Sequence, residues 1–326
     1  MGRHSGLSLN KPSNTDTNHQ RFQKLINTVV KRLVFLSALL SASFIIIVVV
    51  FVALAGIEPF ISDNEGLGSV SFFGFITRTI WLDGPTFSSN MYGAGYLIIN
   101  TLYIAFLTLA LSLPLGVLTA LFIAKIASRK TATVLRSIVE LLAAIPSIVY
   151  GLVGAGLILP IIYNVALSFG IQTNGGNSTL AAVIVLTFMS IPTLTTVSEV
   201  AIRNVNPSLE EASLALGASK TQTHFSVLLP AAKSGIFSAA ILAIGRALGE
   251  ATAISLVAGN ALSGPTFSLF NRTATLTTAM LQGMKETTGL DYDIRFSLGI
   301  VLIVVILITN FALNTLKKKV GNVHAQ

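Results

Sequence analysis

The sequence predicts an all-α, polytopic membrane protein with six transmembrane helices, and three observations carry that expectation. Apolar residues make up 52% of the 326, charged residues only 10%, and the mean hydropathy is +0.77. Soluble domains carry about 25% charged residues. The apolar residues gather into six runs, each near the roughly 20 residues that a bilayer-crossing helix needs. The Lys and Arg residues fall between those runs with a strong bias to alternate gaps.

Residues 1–32 are polar and basic, with Arg3, Lys11, Arg21, Lys24, Lys31 and Arg32 against Asp16 alone. They read as a disordered or surface-lying tail. Leu33–Ile57 then runs without a charge and forms the first span. Ala53-Leu54-Ala55 is similar to a signal-peptidase site, but the apolar run before it is too long for a signal peptide, so an uncleaved helix is expected. A polar excursion, 58–96, precedes the second span at about 97–124 and a basic loop carrying Lys125, Arg129, Lys130 and Arg136. From Leu141 to Ser198 no residue is charged, and the patch Gln172–Thr179 divides this stretch into spans at about 141–168 and 180–198. Pro146, inside the third span, kinks or breaks it. Glu140 has the spacing to pair with Arg136 as a solvated ion pair. Span five covers about 235–258, a second excursion 259–295, and span six 296–316, ending in Lys317-Lys318-Lys319. No internal repeat of fixed period is visible.

Six spans put both termini on one side. The two tails and loops 125–137 and 203–233 hold sixteen of the 21 Lys and Arg, while the other side holds Arg78, Arg272, Lys285 and Arg295. The positive-inside rule then makes the termini and the 203–233 loop cytoplasmic. The net charge of +8 is topology rather than nucleic-acid binding.

Several chemistries are excluded. There is no cysteine, so no disulfide, thiolate metal site or thiol nucleophile is available, and four scattered His residues offer no metal cluster. No catalytic residue set is identifiable. Gly217–Thr221 has only the superficial look of a P-loop, because positions 214 and 219, where a true one has Gly, are Leu and Ser. ATP, if used, is hydrolysed on another polypeptide.

Two stretches carry chemistry. In residues 209–233, Ser208 and Glu211 have capping-box spacing, Gly217 permits a turn, and Pro230 closes a second amphipathic stretch, 218–229. A helix–Gly–helix at the membrane surface is either a handle for another protein or an ordinary interfacial loop. In span five, Arg246 and Glu250 stand four residues apart, on one face of a helix. A central Arg costs about 2.5 to 3.5 kcal/mol, so it serves either an internal ion pair or an anion site on a polar path. Its planar fork of donors matches a tetrahedral oxyanion. Glu250 would accept the proton of monohydrogen phosphate, which sulfate lacks. Gly245 and Gly249 would allow close helix approach. Thr195, Thr196, Ser198, Thr252 and Ser255 offer hydroxyls, Thr252 and Ser255 being nearest in sequence to Arg246.

Glu211-Ala212-Ser213, three residues, Gly217, nine residues, then Val227-Leu228-Leu229-Pro230 resembles the EAA loop of ABC-importer permeases, with Ser213 for Ala and Val227 for Ile. Gly245–Glu250 (GRALGE) resembles a signature of phosphate-specific transport permeases, and Glu140–Gly151 (ELLAAIPSIVYG) the third-span motif of their C-type (PstC-like) subunit. The spacing through Val257–Asn260 also fits, so the resemblance covers most of residues 97–260. The short 169–179 loop departs from it and is similar to the A-type subunit. The resemblance implies a type I ABC importer permease architecture in a bacterial cell membrane. It further implies a paralogous A-type permease partner, a cytoplasmic ATPase dimer, an extracytoplasmic phosphate-binding protein, and no cofactor of the chain's own. Glu211, Ala212, Gly217, Leu229 and Pro230 would couple to the ATPase. Arg246, Glu250, Thr252 and Ser255 would line the phosphate path. A permease for molybdate or sulfate, an ion-coupled carrier in which Glu250 moves a proton, and a phosphate-sensing scaffold are the other readings.

Overall fold

The structure, a computed structural model, describes residues 14–66, 68–82 and 91–322. Residues 1–13 of the expected basic tail lie outside that range. The chain divides into two compact units, residues 1–52 and 53–326.

Helix α1 spans Asn14–Ile61. Residues 14–32 are thus a helical extension of the first span rather than a separate tail: they contain no Gly, and Pro is absent until Pro59. Within the first unit its apolar side chains are exposed, Leu36, Phe44 and Ile47 among them. That is expected of a helix whose solvent is hydrocarbon.

In the second unit, α2 (Phe72–Thr77) precedes α3 (Gly95–Leu121), α4 (Arg129–Ala144) and α5 (Ser147–Val153). There follow α6 (Leu159–Ser168), α7 (Thr179–Arg203), α8 (Pro207–Ala215) and α9 (Lys220–Thr223). The last are α10 (Leu229–Gly249), α11 (Thr252–Val257), α12 (Leu276–Leu281) and α13 (Leu290–Asn322). Among the described residues the only strand-like pairings are isolated bridges. Six helical stretches are long and apolar enough to cross a membrane: Ile26–Ile61, Gly95–Ile126, Ser147–Ser168, Thr179–Arg203, Lys220–Gly249 and Leu290–Lys319.

Helix α7 is the centre of the second unit, packed between α3 and α10 through Leu186, Met189 and Leu194. Gly116 lets α3 approach, since a Cβ there would sit 2.6 Å from Leu194 Cβ. Two spans are continuous through a widened, π-type turn, at Gly154–Ile158 and His224–Leu228. Each lies just before a proline, Pro160 and Pro230. A proline ring clashes with the carbonyl four residues back, which here is inside the widened turn. Pro230 therefore does not close a helix, contrary to expectation, and span five begins at Lys220.

The third span begins at Ser147 rather than 141. Its preceding stretch, α4, is amphipathic and separate, because Ile145 and Pro146 are extended and end the helix. The two excursions fold on each other: Val70, Phe75, Trp81 and Tyr92 share a core with Leu276, Leu290 and Ile294. Arg295, expected in the second excursion, instead sits inside α13, 1% exposed, with Nη1 donating to the Ala279 carbonyl at 2.8 Å.

Candidate functional site

The charged residues of span five stand at a break in the helix. Helix α10 ends at Gly249, and Glu250 is extended (φ −77, ψ 120), so Arg246 and Glu250 do not share a helix face and form no ion pair among the described residues. The expected pair is corrected on this point: a spacing of four residues brings side chains together only where the helix is unbroken.

Glu250 turns instead to the next helix. Its Oε1 accepts from the Thr252 hydroxyl at 2.8 Å and from the Ala253 backbone N–H at 3.0 Å. Its main-chain carbonyl accepts from Thr277 Oγ1 at 2.7 Å. Thr252 Oγ1 also lies 2.8 Å from Ser147 Oγ, directly after the other helix break, at Pro146. Thr252 has one hydroxyl proton and gives it to Glu250, so Ser147 donates to Thr252. The broken ends of the third and fifth spans are thereby joined by hydroxyls. Glu250 Oε2 accepts nothing among the described residues.

Arg246, partly exposed, reaches Thr193 Oγ1 through Nη1 at 3.5 Å. A neutral hydroxyl leaves its charge uncompensated. Beside it, Gly245 and Gly249 face open space: among the described residues no other segment comes within 4 Å of a built Cβ. These glycines therefore mediate no close helix approach among the described residues. Of the other hydroxyls, Ser255 spends its proton on the Thr252 carbonyl at 2.8 Å, Thr195 and Ser198 are buried, and Thr196 is exposed. The structure thus brings Glu250 and Thr252 together, with Arg246 one turn away. Ser147, Thr193 and Thr277 escaped the sequence reading. Ser147 and Thr193 do carry a signal, since each directly follows a proline.

The second site is the loop after α7. Its first helix is capped by Asn206, whose side chain accepts from the Ser208 N–H at 3.0 Å, with Pro207 in the first turn. The cap therefore lies two residues before the expected Ser208, because Asn followed by Pro is a stronger helix start. Gly217 has φ +85 and opens the turn. Ser219 and Gln222 form the capping box of α9. Ser213 and Thr223 hydroxyls meet at 2.9 Å and hold α8 to α9. Glu211, Ala212 and Gly217 are exposed, and Leu216 at the turn is 89% exposed. Leu229 and Pro230 are half-buried at the start of α10, Leu229 packed on the cluster that holds Leu228 and Ala232.

Ion pairs tie this end of the bundle together. Lys125, in the π-type turn Phe122–Ile126 that continues α3, meets Glu210 on α8 at 2.5 Å. Glu199, on α7, accepts from Arg136 Nε and Arg203 Nε, each at 2.7 Å. Arg136 is thus paired across the fold and not with Glu140, which is exposed. Glu199 escaped the sequence reading, although its spacing of four to Arg203 was legible.

Residues 112–322 match the family model described as the binding-protein-dependent transport system inner membrane component. The chain is a binding-protein-dependent transport permease. Among permeases, it is 34% identical over 269 residues to the "Probable ABC transporter permease protein YqgH" of Bacillus subtilis (strain 168), covering 82% of this chain and 83% of that one. It is 30% identical over 271 residues to the "Phosphate transport system permease protein PstC" of Pasteurella multocida (strain Pm70), covering 78% and 84%. A solved permease structure, from a bacterial alginate ABC transporter with its pentasaccharide-bound periplasmic protein, superposes with a TM-score of 0.58 at 20% identity, covering 90% of this chain and 97% of that one. The fold is that of type I ABC importer permeases, multi-pass membrane subunits that work with a separate ATPase and a substrate-binding protein.

Proposed function

We propose that this chain is the C-type permease subunit of an ATP-driven importer that carries inorganic phosphate into a bacterial cell. Its partners in this reading are a paralogous A-type permease, an ATPase dimer on the cytoplasmic 203–233 loop, and a phosphate-binding protein on the opposite face. The observation that carries the reading is Arg246: a partly exposed guanidinium with one neutral hydroxyl partner, beside unfilled space, in a segment apolar enough to cross a membrane.

A charge at that depth is costly unless a partner anion offsets it. The planar fork of guanidinium donors suits an oxyanion. Glu250, one turn on, offers a free carboxylate oxygen to the proton that monohydrogen phosphate carries. Relatives named as phosphate transport permeases support phosphate over other oxyanions. Substrate would meet Arg246 in one state of the transporter, and movement of α8 and α9 with the ATPase would switch access.

The test is labelled-phosphate uptake in cells lacking this protein, complemented with wild type or Arg246→Ala at matched membrane levels. Wild type restores uptake, and the variant loses it by at least about tenfold, the cost of losing a hydrogen bond between a charged group and the substrate. Equal restoration by both removes Arg246 from the path. If wild type restores nothing, labelled molybdate and sulfate come next.

A further inference from the structure

We propose that a cleft at the loop end of the bundle, between the end of α3, the N-terminus of α4 and the end of α7, binds a phosphate-bearing anion. This inference does not depend on which substrate crosses the membrane. The cleft has a volume of about 360 Å³, an apolar floor that includes Ile123, Ala127 and Ala132, and three arginines, Arg129, Arg136 and Arg203, on its wall.

The charges do not balance. Among the described residues Glu199 is the one carboxylate paired with these guanidinia, and it meets two of them, Arg136 and Arg203, through a single oxygen. Three cations against one anion leave a surplus of two positive charges. Arg203 spends Nη2 on the Ile123 carbonyl at 3.3 Å. Neither terminal amino group of Arg136 donates among the described residues, and the Arg129 side chain makes no hydrogen bond or ion pair there. Glu199, 9% exposed, fixes two guanidinia while leaving them 36% and 44% exposed. That is a preorganised donor set rather than a closed ion pair.

Helix α4 adds to the imbalance. It has 16 residues, opens on Arg129-Lys130, and carries no acid in its first turn. Basic side chains at a helix N-terminus oppose the macrodipole, and an anion placed there offsets both. An anion with tetrahedral oxygens fits the forks of Arg136 and Arg129. Two sources supply that chemistry. One is the headgroup of an anionic phospholipid, since the cleft adjoins the end of the span Gly95–Ile126 and the exposed apolar residues Phe122 and Ile126. The other is free phosphate from the same side.

The test uses the full chain in nanodiscs of phosphatidylcholine with and without phosphatidylglycerol, read by native mass spectrometry for retained lipid, and in parallel equilibrium dialysis with labelled inorganic phosphate. Arg129→Ala combined with Arg136→Gln removes two cations while leaving Glu199 a neutral donor and Arg203. Binding should fall about tenfold. Glu199→Gln keeps the acceptor oxygen and removes the opposing charge, so binding should tighten severalfold. Lys318→Ala serves as a control for diffuse attraction. Opposite shifts in the two cleft variants, with the control unchanged, support the site. The probe that responds, phosphatidylglycerol or phosphate, identifies the source. If neither probe distinguishes the cleft variants from the control, the proposal is overturned and the guanidinia are left to an acidic protein surface.

Discussion

Glu250 uses its two carboxylate oxygens differently. Oε1 holds Thr252 and the first turn of α11, and Oε2 accepts nothing within the chain. Glu250→Gln separates the two roles, because a glutamine keeps a carbonyl acceptor for the cap and replaces the other oxygen with a donor. If Oε2 accepts the substrate's proton, the variant places a donor against a donor. Losing a hydrogen bond to a charged group costs about 1.5–3 kcal/mol, so the preference for phosphate over sulfate in competitive uptake should fall at least about tenfold. An unchanged preference would mean that Glu250 only shapes the helix break. Ser147→Ala probes that break alone. It leaves Thr252 its bond to Glu250 and removes the link to α5, so uptake should decline severalfold with selectivity retained. A change in selectivity would instead make Ser147 part of the path.

At the scale of elements, the coupling loop works through one backbone conformation. Gly217 has φ +85 and open space around it, so an alanine there meets no clash but pays left-handed strain. That strain is about 1–2 kcal/mol, enough to loosen the angle between α8 and α9 without unfolding the bundle. Gly217→Ala should lower uptake severalfold while ATP hydrolysis by the assembled transporter persists. Uptake unchanged at equal membrane level would show that the turn tolerates the strain. This turn was legible from the sequence, as were the six spans, because glycine in a polar interruption and long uncharged runs are local signals. The break at Pro146 was legible too, but the break in span five was not. The sequence of span five reads as one helix through Glu250, and only the Thr277 and Ser147 contacts from distant segments reveal why it ends at Gly249. The pairing of Glu199 with Arg136 is hidden for the same reason: the two lie 63 residues apart and meet only when α4 folds onto α7. Conversely, Pro230 misled the reading because its cost is absorbed by a widened turn, which no local pattern announces.

At the scale of the whole molecule, orientation follows from where the charges lie rather than from any one contact. The ends bearing loops 125–137 and 203–233 hold the cations that resist crossing, while the other side, the folded excursions with the start of α13, holds four. If that sum sets the topology, the Trp81–Tyr92 core and Arg295 face outward, where a binding protein delivers substrate, and the exposed Leu216 faces the ATPase. The chain has no cysteine, so single-cysteine labelling needs no background removed. Asn174→Cys, on an exposed turn between α6 and α7, should react with a membrane-impermeant maleimide in intact cells. Lys318→Cys, at the end of α13, should react only after the membrane is opened. Reaction of Lys318→Cys in intact cells would invert the topology. It would then place the EAA-like loop on the wrong side for a cytoplasmic ATPase, and the importer reading would fall with the orientation.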